Sequence, residues 1–215
     1  MNISFIRMMV NLVVHVLLAL SLYAAVEANS SEPKPRKANR YLLEKWGRWY
    51  TFCDINKDGV ISLEDPKHFE NFYKGYECAR GGNQSTSLAT MVRLWKVVHL
   101  FNNTEISQAE FVQTVKQQFE SNNTAFYELI RVYMSAWSKF IDCNADDLIS
   151  NDEFLTLLNA LGHSNTAQNE KQFFSIPDIN GKVAPAVVVA NFMRFVFEND
   201  KSKPDIFKNS LDSGI

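Results

Sequence analysis

At 215 residues and 46% hydrophobic content, the chain can bury one or two ordinary cores and lacks the composition of a disordered tail. Its formal charge of -2, from 22 basic and 24 acidic residues, offers no basic face to a nucleic acid and no strong attraction to an anionic membrane surface. Three cysteines are too few for a disulfide framework, so at most one pair closes, and no C-x-x-C zinc spacing occurs.

Arg7, an apolar run from Leu12 to Val26 and small residues at Val26 and Ala28 predict a cleaved signal peptide over residues 1–28. A transmembrane anchor is the competing reading, but the run is shorter than the roughly 20 residues a spanning helix needs and contains His15. No membrane association is expected after cleavage. Residues 29–40, rich in Ser, Pro, Glu and Lys, predict a flexible leader. Sequons at Asn29, Asn83, Asn102 and Asn122 fall in loop-like segments and fit a glycoprotein that is secreted or held in a secretory lumen. The Asp-Ser-Gly-Ile ending has no K-D-E-L retrieval signal.

From Tyr41 onward, apolar stripes at helical spacing alternate with short polar loops, and no long period-two run occurs, so the predicted class is all-α. Trp46, Trp49, Tyr50 and Cys53 lie on one helix face leading into a loop at Asp54. Asp65 and Pro66 then offer an N-cap and a first-turn proline for a helix carrying Phe69, Phe72 and Tyr73. The same unit recurs three times. Leu94, Trp95, Val98 and Phe101 lead into Asn102 to Ser107, with Phe111, Val115 and Phe119 beyond. Met134, Trp137 and Ile141 lead into Asp142 to Glu153, with Phe154, Leu157, Leu158 and Leu161 beyond. Phe173 and Phe174 lead into Pro177 to Ala184, with Val188, Phe192 and Phe195 beyond. Each loop carries one β-branched residue at a corresponding place, Ile61, Ile106, Ile149 and Val183. Such plugs predict two loop pairs joined by short antiparallel contacts. The expected organisation is one pair of units over 41–120, a second over 121–198 and a tail over 199–215 that docks on the core. The many Phe and Trp side chains should wedge between helices, with Cys53 and Cys143 as small packing residues beside the acidic loops.

The first loop reads D-x-N-x-D-G-x-I-x-x-x-D and sets oxygen donors at every other residue around a sharp turn at Gly59. Ca²⁺ takes six to eight oxygens, and this spacing lets one short loop wrap it: Asp54, Asn56 and Asp58 by side chain, Val60 by its carbonyl, Ser62 directly or through water, and Asp65 from the next helix. The third loop repeats the pattern with Asp142, Asn144, Asp146, Leu148 by its carbonyl, Ser150 and a closing Glu153, but has Asp147 where a turn glycine is expected. Asp65 is one methylene shorter than a closing Glu and could reach the ion with one oxygen, which would make the first site tolerant of Mg²⁺. The second loop has lost its carboxylates apart from Glu105 and Glu110. The fourth keeps Gly181 but has Val187 at its closing position and reads as too short. Both are expected to be structural partners only.

On these residues the chain resembles the EF-hand superfamily, and within it the invertebrate sarcoplasmic calcium-binding proteins, over almost all of Tyr41 to Leu211. The resemblance rests on Asp54 to Asp65, the ligand-poor second loop after Leu94-Trp95, Asp142 to Glu153, and the ending that carries Phe192, Phe195, Asn199, Asp200, Ile206 and Phe207. It implies four EF-hands packed as two pairs, a docked tail and calcium buffering, with no enzymatic activity. Two other functions fit the same loops. One is a calcium-dependent adaptor or sensor for a protein partner that the sequence does not identify. The other is a coelenterazine-binding photoprotein-like protein, for which His68, His99 and His163 are the only histidines beyond the leader. Lone histidines on helices are more often surface or satisfied core groups. No nucleophile-base pair or phosphate-cradling glycine loop is apparent.

Overall fold

The computed structural model describes residues 36–73, 88–173, 175–176 and 180–214, which belong to one compact unit. The predicted signal peptide, the leader as far as Pro35, Cys78 and the sequons at Asn29 and Asn83 lie outside the described residues. Nine helices occur among the described residues: α1 (Arg40–Cys53), α2 (Glu64–Tyr73), α3 (Leu88–His99), α4 (Gln108–Ser121), α5 (Asn123–Ile141), α6 (Asn151–Ala160), α7 (Thr166–Phe173), α8 (Pro185–Phe197) and α9 (Ile206–Asp212). Two short strands, β1 (Ile61–Ser62) and β2 (Glu105–Ile106), complete the all-α EF-hand architecture.

Local chemistry sets where the helices start. Asn39 and Asn122 cap α1 and α5 by accepting the Leu42 and Ala125 N–H groups. Ser107 and Ser150 form capping boxes with Glu110 and Glu153 at α4 and α6. Pro185 opens α8, where an N–H would have had no helical partner. Two expectations shift. Asp65 is not a cap, because α2 already begins at Glu64, whose N–H is taken by Ser62 Oγ. Phe101 does not extend the α3 stripe either; α3 stops at His99, and Phe101 sits in the following turn with φ of 48°. The reason is loop length: only seven residues carry the chain from His99 to Ile106, against eight from Cys53 to Ile61.

The four plugs meet in two pairs. β1 and β2 pair antiparallel with Ile61 opposite Ile106, and Ile149 bridges Val183 through two backbone hydrogen bonds of 2.8 Å. Tyr50 secures the first junction. Its hydroxyl accepts the Ile61 N–H at 3.2 Å and lies 2.8 Å from the Gly59 carbonyl and 3.1 Å from that of Ile106. The fourth loop is not short, contrary to expectation. Ten residues lead from Phe173 to Val183, so counting back from the plug places Ile176 at the first loop position and Val187 at the twelfth. It lacks ligands because those positions are apolar.

One core draws on all four units. Trp49 of α1 makes edge contacts with His99, Phe111 of α4 and Phe192 of α8, at ring-centroid distances of 5.2 to 5.5 Å. Each fully buried aromatic of this kind stabilises the fold by about 1.5–3 kcal/mol relative to exposure. The neighbouring Trp46 indole donates to the Val196 carbonyl at 3.1 Å, tying α1 to α8. Phe207 of α9 packs against Phe52, Phe192 and Phe195. Beneath α9 lies Lys45, fully buried, whose ammonium donates to Asp205 Oδ2 at 3.0 Å and to the Arg194 and Glu198 carbonyls.

Candidate metal centres

Loop one (Asp54 to Asp65) and loop three (Asp142 to Glu153) bend at the same positions. Positive φ occurs at the fourth and sixth residues of each: Lys57 (59°) and Gly59 (89°), then Ala145 (56°) and Asp147 (59°). Asp147 therefore holds the left-handed conformation that its position demands. A Cβ at Gly59 would meet nothing within 4 Å, so the turn has room for a side chain. What remains at Asp147 is the intrinsic penalty of left-handed backbone, about 1 kcal/mol, which Asp feels less than most residues.

The donors of both loops fold onto their own backbone in matching steps. Asp54 Oδ2 and Asp142 Oδ2 each accept the sixth-position N–H, of Gly59 and Asp147, at 3.0 Å. Asn56 and Asn144 accept from the Asp58 and Asp146 N–H groups, and those two aspartates accept from Val60 and Leu148. The closing residues agree as well. Glu153 accepts from Cys143 and Ser150, both at 2.8 Å, while Asp65 accepts from Ile55 and Ser62, both at 2.7 Å. Asp65 makes this pair of bonds despite its missing methylene, and it is fully buried where Glu153 is only partly so.

This arrangement fits a cation. Burial pushes the Asp65 and Asp142 carboxyls above the ordinary carboxylate range, with the loop N–H groups opposing. Asp54 Oδ1 is buried and has no hydrogen-bond partner among the described residues. A carboxylate oxygen that holds one N–H keeps a further lone pair for an ion. Among the described residues, no three His, Cys, Asp or Glu side chains form a metal-holding group by themselves. The remaining oxygens must come from Asn56, Ser62, Asn144 and Ser150 and from the Val60 and Leu148 carbonyls, the mixed hard-oxygen set that suits Ca²⁺. Loop two offers no such set. His99 and Leu100 at its start are buried in the core, and Glu110 is bonded to Ser107.

Loop three has a feature that sequence reasoning missed. Lys182, just before the Val183 plug, ion-pairs with Asp146 and holds its carboxyl below the usual range. The residue before the Ile106 plug is Glu105, so loop one has no equivalent cation. The signal was readable as a charge difference at matching positions. Cys143 also departs from expectation: it is disulfide-bonded, not a packing thiol, whereas Cys53 is free and buried. The chain's remaining cysteine, Cys78, lies outside the described residues. Of the sequons within the described residues, Asn102 and Asn122 are both exposed. Among the described residues, no helix is long and apolar enough to cross a membrane.

No family model matches the chain. It is similar to the sarcoplasmic calcium-binding protein of Mizuhopecten yessoensis, 29% identical over 176 residues that span 80% of this chain and 99% of that one. In fold it is similar to the coelenterazine-binding protein of Renilla muelleri (TM-score 0.59, 17% identity, 77% of this chain and 92% of that one). It is likewise similar to the photoprotein mitrocomin of Mitrocoma cellularia (TM-score 0.59, 18% identity, 85% of this chain and 98% of that one).

Proposed function

We propose that this chain, an EF-hand protein resembling the sarcoplasmic calcium-binding proteins, binds Ca²⁺ at two unequal loops. It acts as a buffer or as a constitutively calcium-stabilised module. The observation that carries this reading is the buried, unpartnered Asp54 Oδ1, set in a loop whose other donors match loop three position by position. Asp54, Asn56, Asp58, the Val60 carbonyl, Ser62 and Asp65 form the first site; Asp142, Asn144, Asp146, the Leu148 carbonyl, Ser150 and Glu153 form the second. The short closing Asp65 makes the first site the more tolerant of Mg²⁺, which prefers six ligands. At the second, the ion must displace Lys182 from Asp146. Buffering is favoured over sensing because Met91, Met134 and Met193, all the methionines beyond the leader, are buried and present no adaptable Met-rich groove.

Calorimetric titration of the chain lacking residues 1–28 is expected to register two Ca²⁺ ions. Asp54→Ala removes one, Asp142→Ala the other and the double variant both. Lys182→Met tightens only the loop-three site, by a few-fold, the scale of an exposed ion pair. Absence of any calcium heat from the parent chain would sink this reading.

The same chain is read as a protein of the secretory pathway. A bonded Cys143 suits an oxidising compartment, and Asn122 caps α5 through Oδ1, which leaves its Nδ2 available to a glycan. Peptide mapping after expression in eukaryotic cells is expected to find glycan on Asn102 and Asn122, Cys143 blocked until reduction, and Cys53 free. Unmodified asparagines together with a free Cys143 thiol would exclude secretion.

A further inference from the structure

The two loop junctions are built differently. At the second, Ile149 and Val183 exchange direct backbone hydrogen bonds. At the first, a side-chain hydroxyl stands among the backbone groups of both loops. Tyr50 Oη accepts the Ile61 N–H at 3.2 Å, and its one proton is shared between the Gly59 carbonyl at 2.8 Å and the Ile106 carbonyl at 3.1 Å. The ring that carries this hydroxyl is buried and packs edge-on against Phe111 of α4 at a centroid distance of 5.7 Å, which holds it in place. At the matching place in the third unit, four residues before the first loop residue, stands Ser138. Its short hydroxyl donates to the Ser135 carbonyl of its own helix at 3.0 Å.

The bond to Ile61 reaches a metal ligand through the backbone. The Val60 carbonyl and the Ile61 N–H belong to one planar peptide unit, and in a trans peptide these two groups point in opposite directions. An N–H fixed on the buried Tyr50 therefore turns the Val60 carbonyl away from the core. Gly59, the turn residue just before, is held twice, its carbonyl by Tyr50 and its N–H by Asp54 Oδ2 at 3.0 Å. The turn and the carbonyl ligand are thus fixed by the protein's own bonds, which lowers the cost of the ordering that an ion must impose.

We propose that Tyr50 is a positioning residue for the loop-one metal site: its hydroxyl aims the Val60 carbonyl at the ion and braces that peptide against Ile106 of the second loop. The inference rests on loop one being a Ca²⁺ site. It gives the ligand-poor loop two a part in binding, as the anchor of the hydroxyl. It also sets the two sites apart, since loop three relies on the direct bonds between Ile149 and Val183.

Tyr50→Phe removes the hydroxyl and keeps the ring. In calorimetric titration it is expected to weaken Ca²⁺ binding at loop one about fivefold, the worth of one hydrogen bond, and to leave loop three unchanged. Asp142→Ala and Asp54→Ala backgrounds isolate the first and second sites. A role confined to stability would lower the folding free energy of the metal-free chain and leave the loop-one affinity of the folded chain where it was. With Val60 labelled at its carbonyl carbon, that resonance is expected to shift with Ca²⁺, and in Tyr50→Phe to do so at about fivefold higher Ca²⁺. An unchanged loop-one affinity overturns the proposal, as does an equal loss at both loops or a Val60 carbonyl that ignores Ca²⁺. If Tyr50→Phe does not fold, the resonance of the hydroxyl-bearing ring carbon of Tyr50 decides. It is expected to move with Ca²⁺ in the Asp142→Ala background and to stay in the Asp54→Ala background, and any other pattern overturns the proposal. A parent chain that binds no Ca²⁺ at loop one counts against the site itself, so the two failures are distinguishable.

Discussion

Asp205→Asn is expected to lower the folding free energy by about 3–5 kcal/mol, because it strands a buried charge. Lys45 is fully buried and Asp205 is 5% exposed, so solvent does not screen the pair as it does a surface ion pair. Burial pushes the Lys45 ammonium below the ordinary lysine range, and the hydrogen bond and charge of Asp205 are the chief forces opposing that fall. Removing the carboxylate leaves the ammonium with the Arg194 and Glu198 carbonyls and the faces of Tyr41 and Phe195, at 4.7 and 5.6 Å. Asn preserves the shape of Asp205 and an oxygen to accept the Lys208 N–H that caps α9, so loss of the cap is not the main term. Lys45→Met strands the carboxylate instead and should have a similar effect. The double variant Lys45→Met/Asp205→Asn should recover most of the loss, since removing both charges of a buried pair is often near neutral. Denaturant unfolding measures all three, and protease cleavage within α9 reports whether the tail has come loose. A loss below about 1 kcal/mol for Asp205→Asn would mean that the pair is not what holds the tail.

How far this was legible in the sequence depends on the range of the interaction. The loops were legible because oxygen-bearing residues at fixed spacing and a β-branched plug are local patterns, and the Ile61–Ile106 and Ile149–Val183 contacts follow from them. The stops were harder. Phe101 fits the apolar period of α3, but the shorter second loop forces the helix to end at His99 so that Ile106 can reach Ile61. The fourth loop reads as short from its turn residues because its register is set by Val183, whose pairing with Ile149 is a tertiary contact. Lys45 was half legible. It lies on the stripe of Leu42, Trp46 and Trp49, where a lysine is out of place, but periodicity cannot point to a partner 160 residues away. Lys182 makes the same point at the third loop: its partner Asp146 is 36 residues away.

The sequence leaves His99 on the surface or in the core; the structure buries it, and that burial should be visible as a pH dependence of stability. Its pKa falls from 6.5 to about 3 because burial disfavours the imidazolium. Below pH 6.5 the unfolded chain takes a proton at this position that the folded chain refuses until about pH 3. The contribution is therefore fully present above pH 6.5 and lost progressively as the pH falls toward 3. Between about pH 7 and 4.5 the loss is about 3 kcal/mol, a large share of a typical stability of about 5–15 kcal/mol. Asp65 and Asp142 have raised values and act in the opposite direction in acid, so the raw pH profile mixes the two. His99→Gln separates them. Glutamine can still accept from the Tyr133 hydroxyl, which lies 3.1 Å from His99 Nε2, but does not titrate, so the variant keeps the carboxylate contributions and loses that of His99. For the metal-free proteins, denaturant unfolding at the two pH values is expected to show the unsubstituted chain losing about 3 kcal/mol more than the variant. A difference under about 1 kcal/mol would mean that His99 accepts its proton in the folded state, through an opening of the core that the packed arrangement of Trp49, Trp95 and Tyr133 does not provide.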